Sequence, residues 1–333
     1  MKKILILLSI ALVFVSCEKI LFKEDVSSTS PQQNLDYLWH QADEKYAYFE
    51  LKGVDWDQVK IDYSAKLYDG MSNDSLFQVM GGMLRELKDD HTNLISNFNI
   101  SFFGVKNLGP DNFDWRVITD NYLPKNYYIT GPFVHDFISN GEIGYVRFAS
   151  FTGTVNNQNL DFVLKRYENT KGLILDLREN GGGAVSDIFK ILSRFIDQET
   201  LVYYSRIKNG KGHNDFSEPE PTYVSPSSGI RYNKKVMVLI DRGTFSAGSF
   251  TSLATLAIPN MVLMGDTTGG GLGLPNGGQL PNGWTYRFSI TQSLDLHKNN
   301  NYENGVPPDI NVLFDWSDLT KDEVIERAIL ELQ

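Results

Sequence analysis

The sequence predicts an α/β protein in which a small helical N-terminal region precedes a largely parallel sheet. Three observations carry this reading. Apolar residues recur at helical spacing between Asn34 and Leu94, short apolar runs alternate with amphipathic stretches beyond residue 100, and Asn282-Gly283 lies between two strand-like segments.

Leu35, Leu38, Trp39 and Ala42 fall at i, i+3, i+4 and i+7, and Phe77, Met80, Met83, Leu84 and Leu87 repeat the stripe. Each segment therefore buries one helical face. Asn73, Asp74 or Ser75 is expected to cap the second helix. Residues 34–98 read as a helical subdomain and residues 99–333 as the α/β core. Within that core Gly144–Ala149 reads as a strand and Asn159–Tyr167 as a helix. Gly172–Arg178 is a buried strand that runs into Asn180-Gly181-Gly182-Gly183, and Ala184–Phe195 follows as a helix. Val236–Asp241 and Met261–Gly265 are further buried strands, with Ser246–Ala257 as the helix between them. Near-continuous apolar strands separated by helices imply a parallel sheet covered on both faces. Asn282-Gly283 is expected to turn a hairpin. No repeat of fixed period is visible.

The chain has 333 residues, 31 Lys plus Arg and 41 Asp plus Glu, for a formal charge of −10. An acidic chain without a basic run is a poor match for phosphate backbones, so nucleic acid is excluded as a partner. Apolar content of 41 % with 12 % aromatics suffices for a core and excludes broad disorder. Lys2 and Lys3 precede the apolar runs Ile4–Leu8 and Ile10–Val15, and Ser16-Cys17 follow. This is the pattern of a secretory signal, and its apolar region of about 12 residues is shorter than the ~20 that a membrane span needs. Residues 1–16 are expected to be that signal, and the polar residues 17–33 a flexible tether. Cys17 is the single cysteine. It forbids an internal disulfide and removes thiolate zinc sites and cysteine-nucleophile chemistry from the rest of the chain.

Four segments could carry chemistry. Thr244-Phe245-Ser246-Ala247-Gly248 sits between a buried strand and a helix, where a serine hydroxyl meets the free N–H groups of a helix start. A serine there could equally be a helix cap. Leu175–Gly183 ends in three glycines that allow backbone geometry and close approach denied to other residues. Leu87-Lys88-Asp89-Asp90-His91-Thr92 offers a histidine beside two acids, either a base oriented by a carboxylate or a solvated helix end. Glu303-Asn304-Gly305-Val306-Pro307-Pro308-Asp309 is a rigid turn in which a buried glutamate would be costly without a partner. Among the other histidines, His297 beyond Asp295 is the rival base. No two of the five histidines stand at i, i+4, so a helix-borne zinc pair is absent.

The stretch Val13–Cys17 resembles the lipobox of bacterial lipoproteins. That resemblance implies cleavage before Cys17, lipid on Cys17 and tethering to a bacterial membrane in the cell envelope, with the outer membrane and a periplasmic or surface-facing orientation expected. The alternative is an ordinary signal cut nearby that leaves a free thiol. The four chemical segments, in their order, resemble the C-terminal processing (tail-specific) serine peptidases and the tricorn protease, from Leu35 to Val312. The resemblance implies a ClpP/crotonase-like core and a serine peptidase that needs no metal or organic cofactor and acts on peptides or unfolded proteins. Where the Ser–Lys branch carries its base this chain has Gly269-Gly270-Gly271, so the tricorn-like branch is implied. In that branch Ser246 is the nucleophile, His91 the base and Glu303 the group that orients it. Asp90 stands where that branch has a serine, and either orients His91 or crowds Glu303. Gly182 and Ala247 are implied as the oxyanion hole. The 52 residues between His91 and Gly144 are too few for a full PDZ domain, which leaves tail recognition without its usual module. Ser249 replaces the glutamate that normally follows Gly248. Two rivals stand beside this reading: an esterase built from Ser246, His297 and Asp295, and a catalytically silent peptide- or lipid-binding protein on the same scaffold.

Overall fold

A computed structural model describes residues 28–333 of the chain. The expected signal of residues 1–16, Cys17 and most of the tether lie outside the described residues. The end of the tether is ordered. Ser28 donates its N–H to the Pro281 carbonyl at 3.0 Å, Ser30 caps helix α1 (Pro31–Lys45), and Pro31 enters its first turn. Ser-Pro is a helix-start signature, so α1 begins before Asn34. Asn34 is buried instead, with its side chain bonded to the Ser28 and Ser30 carbonyls and to the Asn282 N–H.

Helices α2 (Phe49–Lys52), α3 (Trp56–Ser64) and α4 (Asn73–Arg85) follow. The cap of α4 is Ser72, whose hydroxyl accepts the Ser75 N–H, rather than Asn73, Asp74 or Ser75. Leu35, Leu38, Phe77, Met80 and Met83 pack against Trp284, Tyr286 and Phe288. Those aromatics belong to hairpin β10 (Pro275–Gln279) and β11 (Thr285–Ser289), and strand β1 (Asn93–Ile95) pairs with β11. The helical region therefore completes its core with a hairpin from far along the chain, which no boundary at residue 98 allows. The hairpin turn spans Leu280–Gly283, with Gly283 at φ 90°.

The main sheet has the order β13-β9-β8-β5-β4-β3-β2. Its strands are β2 (Tyr128–Thr130), β3 (Phe133–Ile138), β4 (Ile143–Phe148), β5 (Gly172–Asp176), β8 (Val236–Ile240), β9 (Met261–Gly265) and β13 (Ile310–Asn311). From β4 to β13 the pairings are parallel, while β2 and β3 add antiparallel partners. Helices α6 (Asn157–Arg166), α7 (Val185–Leu192) and α8 (Ala247–Thr255) cover one face. Helices α5 (Trp115–Asn121) and α9 (Glu323–Leu332) cover the other. The segment between His91 and Gly144 is thus woven into the core as β1, α5, β2 and β3, not inserted as a separate module. A second antiparallel sheet, β12-β6-β7, joins β6 (Thr200–Ile207), β7 (Glu220–Val224) and β12 (Thr291–Leu294). Its mixed burial leaves no continuous apolar run, which is why sequence reading passes over it. Among the described residues no helix is long and apolar enough to cross a membrane.

Candidate active site

Strand β8 ends at Ile240 and α8 starts at Ala247, so Ser246 occupies the turn at the sheet's edge. Its backbone stands at φ 53°, ψ −120°, a region that non-glycine residues avoid and that costs of order 1–3 kcal/mol. Three contacts hold it there. Ser246 donates its N–H to the Gly270 carbonyl, Phe245 donates to the Asn180 carbonyl, and Gly248 donates to the Phe245 carbonyl. The hydroxyl caps no N–H of its own helix, which removes the helix-cap reading. It lies 2.9 Å from His91 Nε2 instead.

His91 is 6 % exposed and sits in the loop between α4 and β1. Its ring packs edge-on against Phe245 at 4.8 Å between centroids. Burial pulls the imidazole below its ordinary pKa, against the opposing pull of Asp89, of the Gly273 carbonyl and of Asp90. At neutral pH the ring is therefore uncharged and Nε2 can accept the Ser246 proton. Nδ1 makes no hydrogen bond.

The acids divide differently from what the resemblance implies. Asp90 does not orient His91: its carboxylate accepts the N–H groups of Phe103, Gly104 and Val105 at 2.9, 2.6 and 2.8 Å. It shapes the loop beside the site. Glu303 makes no hydrogen bond to His91; its carboxylate accepts the Leu272 N–H at 2.6 Å. The carboxylate that most favours a charged His91 is Asp89, the other of the two acids beside it in the sequence. Asp89 is fixed by the His91 N–H at 2.7 Å, the Ser289 hydroxyl at 2.8 Å and the Thr92 hydroxyl at 3.3 Å. No sequence signal links Ser289 to Asp89, since the contact spans 200 positions.

Burial, with Asp89 nearby, pushes the Glu303 carboxyl up to about 8 from an ordinary 4.5. Below pH 4.5 it is protonated folded or unfolded. Above that the unfolded chain ionises first, so stability declines as pH rises toward 8, by roughly 3 kcal/mol at pH 7. Glu303→Gln should therefore raise the melting temperature more at pH 8 than at pH 5. Thermal unfolding at the two pH values checks this, and equal shifts would count against it.

Ala247 donates its N–H to no internal acceptor among the described residues, consistent with an oxyanion donor. Gly182 departs from expectation. Its N–H is taken by Asn180 Oδ1 at 3.0 Å. The residue is nonetheless confined at φ 92°, because a β-carbon there would lie 2.7 Å from the Ser246 β-carbon and 2.8 Å from the Ala247 nitrogen. Gly271 explains the missing lysine in the same terms: a side chain there would run into the Phe245 ring. Ser249, in place of the usual glutamate, donates to the Thr244 carbonyl and bonds Thr268, whose hydroxyl also accepts the Val306 N–H. His297 is exposed, and Asp295 accepts the backbone N–H groups of its own loop, at His297 and Asn299. The esterase arrangement does not form.

The order of these parts along the chain is that of a known family. Residues 142–312, half of the chain, match peptidase family S41. The chain belongs to peptidase family S41. Residues 27–85 match the tricorn protease C1 domain. This S41 chain is similar in structure to a candidate peptidase from Parabacteroides merdae ATCC 43184, with 40 % identity and a TM-score of 0.88 over 92 % of this chain and 97 % of that one. It shares the fold of mature CPAF at 14 % identity and a TM-score of 0.68, covering 91 % of this chain and 96 % of that one. It is 25 % identical over 179 residues to the carboxy-terminal processing protease CtpA of Bacillus subtilis (strain 168), covering 53 % of this chain. That match spans 36 % of CtpA, and the other curated relatives are matched over 24 % to 46 % of their length.

Proposed function

We propose that the chain is an exported serine endopeptidase that hydrolyses peptide bonds through an acyl-enzyme on Ser246. The observation that supports this most is one hydroxyl: Ser246 is held in a strained turn, caps nothing, and meets His91 Nε2 at 2.9 Å. In this reading Ser246 Oγ attacks the scissile carbonyl while its proton passes to His91 Nε2. The tetrahedral oxyanion is stabilised by the Ala247 N–H together with an N–H of the Gly181–Gly183 run. Collapse expels the amine, which takes the proton back from His91, and water repeats the sequence on the ester. Asp89 supplies the negative charge that favours the imidazolium, while Glu303 acts at one remove, holding the Leu272 N–H in the loop beside the site.

The depressed His91 pKa gives a test. kcat/KM on an unstructured peptide should fall on the acid side with an apparent pKa below 6.5, because Nε2 must be unprotonated in the free enzyme. Asp89→Asn should move that limb lower still, and Glu303→Gln should leave it in place. A limb at or above 6.5 speaks against His91 as the base. Lipid on Cys17 and residence at the outer membrane belong to the same proposal. Cys17→Ser should then shift the protein from the membrane to the soluble fraction. Retention of that variant in salt-washed membranes would remove the lipid from the account.

A further inference from the structure

We propose that the hairpin around Phe98 is a bilayer-contacting surface, in which Phe98, Ile100 and Phe102 enter the interface of the membrane that carries the lipid on Cys17. This rests on the lipid-anchor reading for the presence of that membrane. The side chains themselves call for an apolar partner. Asn93–Val105 is a run of thirteen residues without one charged side chain, in a chain of which 22 % is charged. Phe98, Ile100 and Phe102 are 47, 55 and 59 % exposed. Single exposed apolar residues are ordinary, but three at alternate positions form a patch.

The patch is held rigidly. Ser101 donates its N–H to the Leu94 carbonyl at 2.8 Å, and Ser96 donates to the Asn99 carbonyl at 2.9 Å. The Ser96 hydroxyl accepts the N–H groups of Phe98 and Asn99 at 3.2 and 2.9 Å and closes the turn. These bonds pair the tip's backbone internally, which lowers the cost of leaving water. From beneath, Phe77 and Trp284 meet the Phe98 ring edge-on, at 5.5 and 5.9 Å between centroids. Arg85 and Arg287 are exposed at the base, Arg85 beside Ser101 across Gly81 and Arg287 on the Asn93 side chain. There they can meet headgroup phosphates while the apolar strip sits deeper.

The place where the chain enters the domain says what covers the patch. Ser28 donates to the Pro281 carbonyl, and Asn282 lines one hollow together with Ser96 and Asn97. The turn Leu280–Gly283 therefore joins the tether's end to the hairpin. Ser28 stands eleven residues after Cys17, a span of at most about 40 Å. A domain of this size is roughly 50 Å across. A lipid on Cys17 thus keeps the end that carries Ser28, and the patch beside it, toward the bilayer. The patch is too small to hold the chain alone, so Cys17→Ser still releases it; it fixes which face meets the lipid. Phe103 and Val105 follow directly and line the cleft beside Phe245, which brings that cleft close to the bilayer surface.

A fluorophore at the hairpin tip tests this on the lipidated protein. Cys17 is the single cysteine, and lipid leaves it without a thiol, so Asn97→Cys adds the one site for a nitrobenzoxadiazole label. The labelled protein is placed in vesicles of phosphatidylethanolamine and phosphatidylglycerol. Its emission should shift to shorter wavelength. A nitroxide near the headgroups should quench it more than one near the acyl-chain ends, as fits insertion of about 5–10 Å. Adding Ile100→Ser and Phe102→Ser should abolish both effects while the protein stays in the membrane fraction. The same label at Leu330→Cys, on α9 and 67 % exposed, should report water throughout. A tip label that stays in water on an anchored chain would overturn the surface, as would equal quenching at Leu330→Cys. A shift that appears without lipid and follows protein concentration, or that needs added unfolded peptide, would overturn it in favour of a second copy or a substrate. A second label, on Cys17, would remove the lipid anchor instead. On such a chain, tip quenching that grows with added vesicles would keep the surface, and its absence would overturn both.

Discussion

His91→Ala is expected to lower kcat on an unstructured peptide by roughly four to six orders of magnitude, about as far as Ser246→Ala and with no further loss when the two are combined. The two side chains meet at 2.9 Å, and in the proposed mechanism they share one proton transfer. Removing either leaves only the oxyanion donors and substrate binding to accelerate the reaction. The equality is the informative part. A histidine that merely packed against Phe245 would cost stability and a modest fraction of activity, and its loss would add to that of Ser246. Glu303→Gln should cost less than either, because its carboxyl is bonded to the Leu272 N–H and not to the imidazole. Single-turnover rates on one peptide for the wild type and the four variants measure all of this. Turnover by His91→Ala within tenfold of wild type would remove the histidine from the mechanism.

The second large effect concerns Arg178, which is fully buried. Its guanidinium bonds both oxygens of Asp176 at 3.0 and 2.7 Å and both oxygens of Asp322 at 3.1 and 2.9 Å, and it also donates to the Asn112 carbonyl. Asp322 in turn caps α9 through the N–H groups of Val324 and Ile325. One side chain thus ties the end of β5, where the glycine loop begins, to the helix that covers the far face of the sheet. Arg178→Ala would leave buried Asp322 without a cation and Asp176 with only Arg147, 3.5 Å away, a loss of about 3–5 kcal/mol, a large part of the total stability of a domain. Urea unfolding should show the midpoint fall with little change in slope. An unfolding free energy within about 1 kcal/mol of wild type would mean that the ion cluster is not what anchors the loop.

Much of this was legible in the residues. Buried parallel strands such as Gly172–Asp176 and Val236–Ile240 announce themselves as unbroken apolar runs, and the amphipathic stripe of α4 is nearly as plain. The Ser246–His91 pair followed from family resemblance, and the strain at Ser246 adds a physical reason for it. What stayed hidden is long-range. Asp89 meets Ser289 across 200 positions, and Asn34 meets Asn282 across 248; no local period encodes either. Asp90 and Gly182 differ from the expectation for a related reason. Adjacency in sequence places Asp90 beside His91, yet three N–H groups of residues 103–105 draw its carboxylate away. The glycine run suggests a free N–H at Gly182, yet the Asn180 side chain two residues earlier takes it. Half-exposed strands such as β6 and β7 lack the alternation that would have marked them.

The most direct measurement is acylation of the serine itself. The chain is treated with a fluorophosphonate probe at neutral pH, and the adduct is located by mass spectrometry of the digested protein. The account predicts one adduct, on Ser246, formed rapidly by the wild type, much more slowly by His91→Ala and not at all by Ser246→Ala. An unlabelled wild type, or label on any other serine at the same rate, would contradict it.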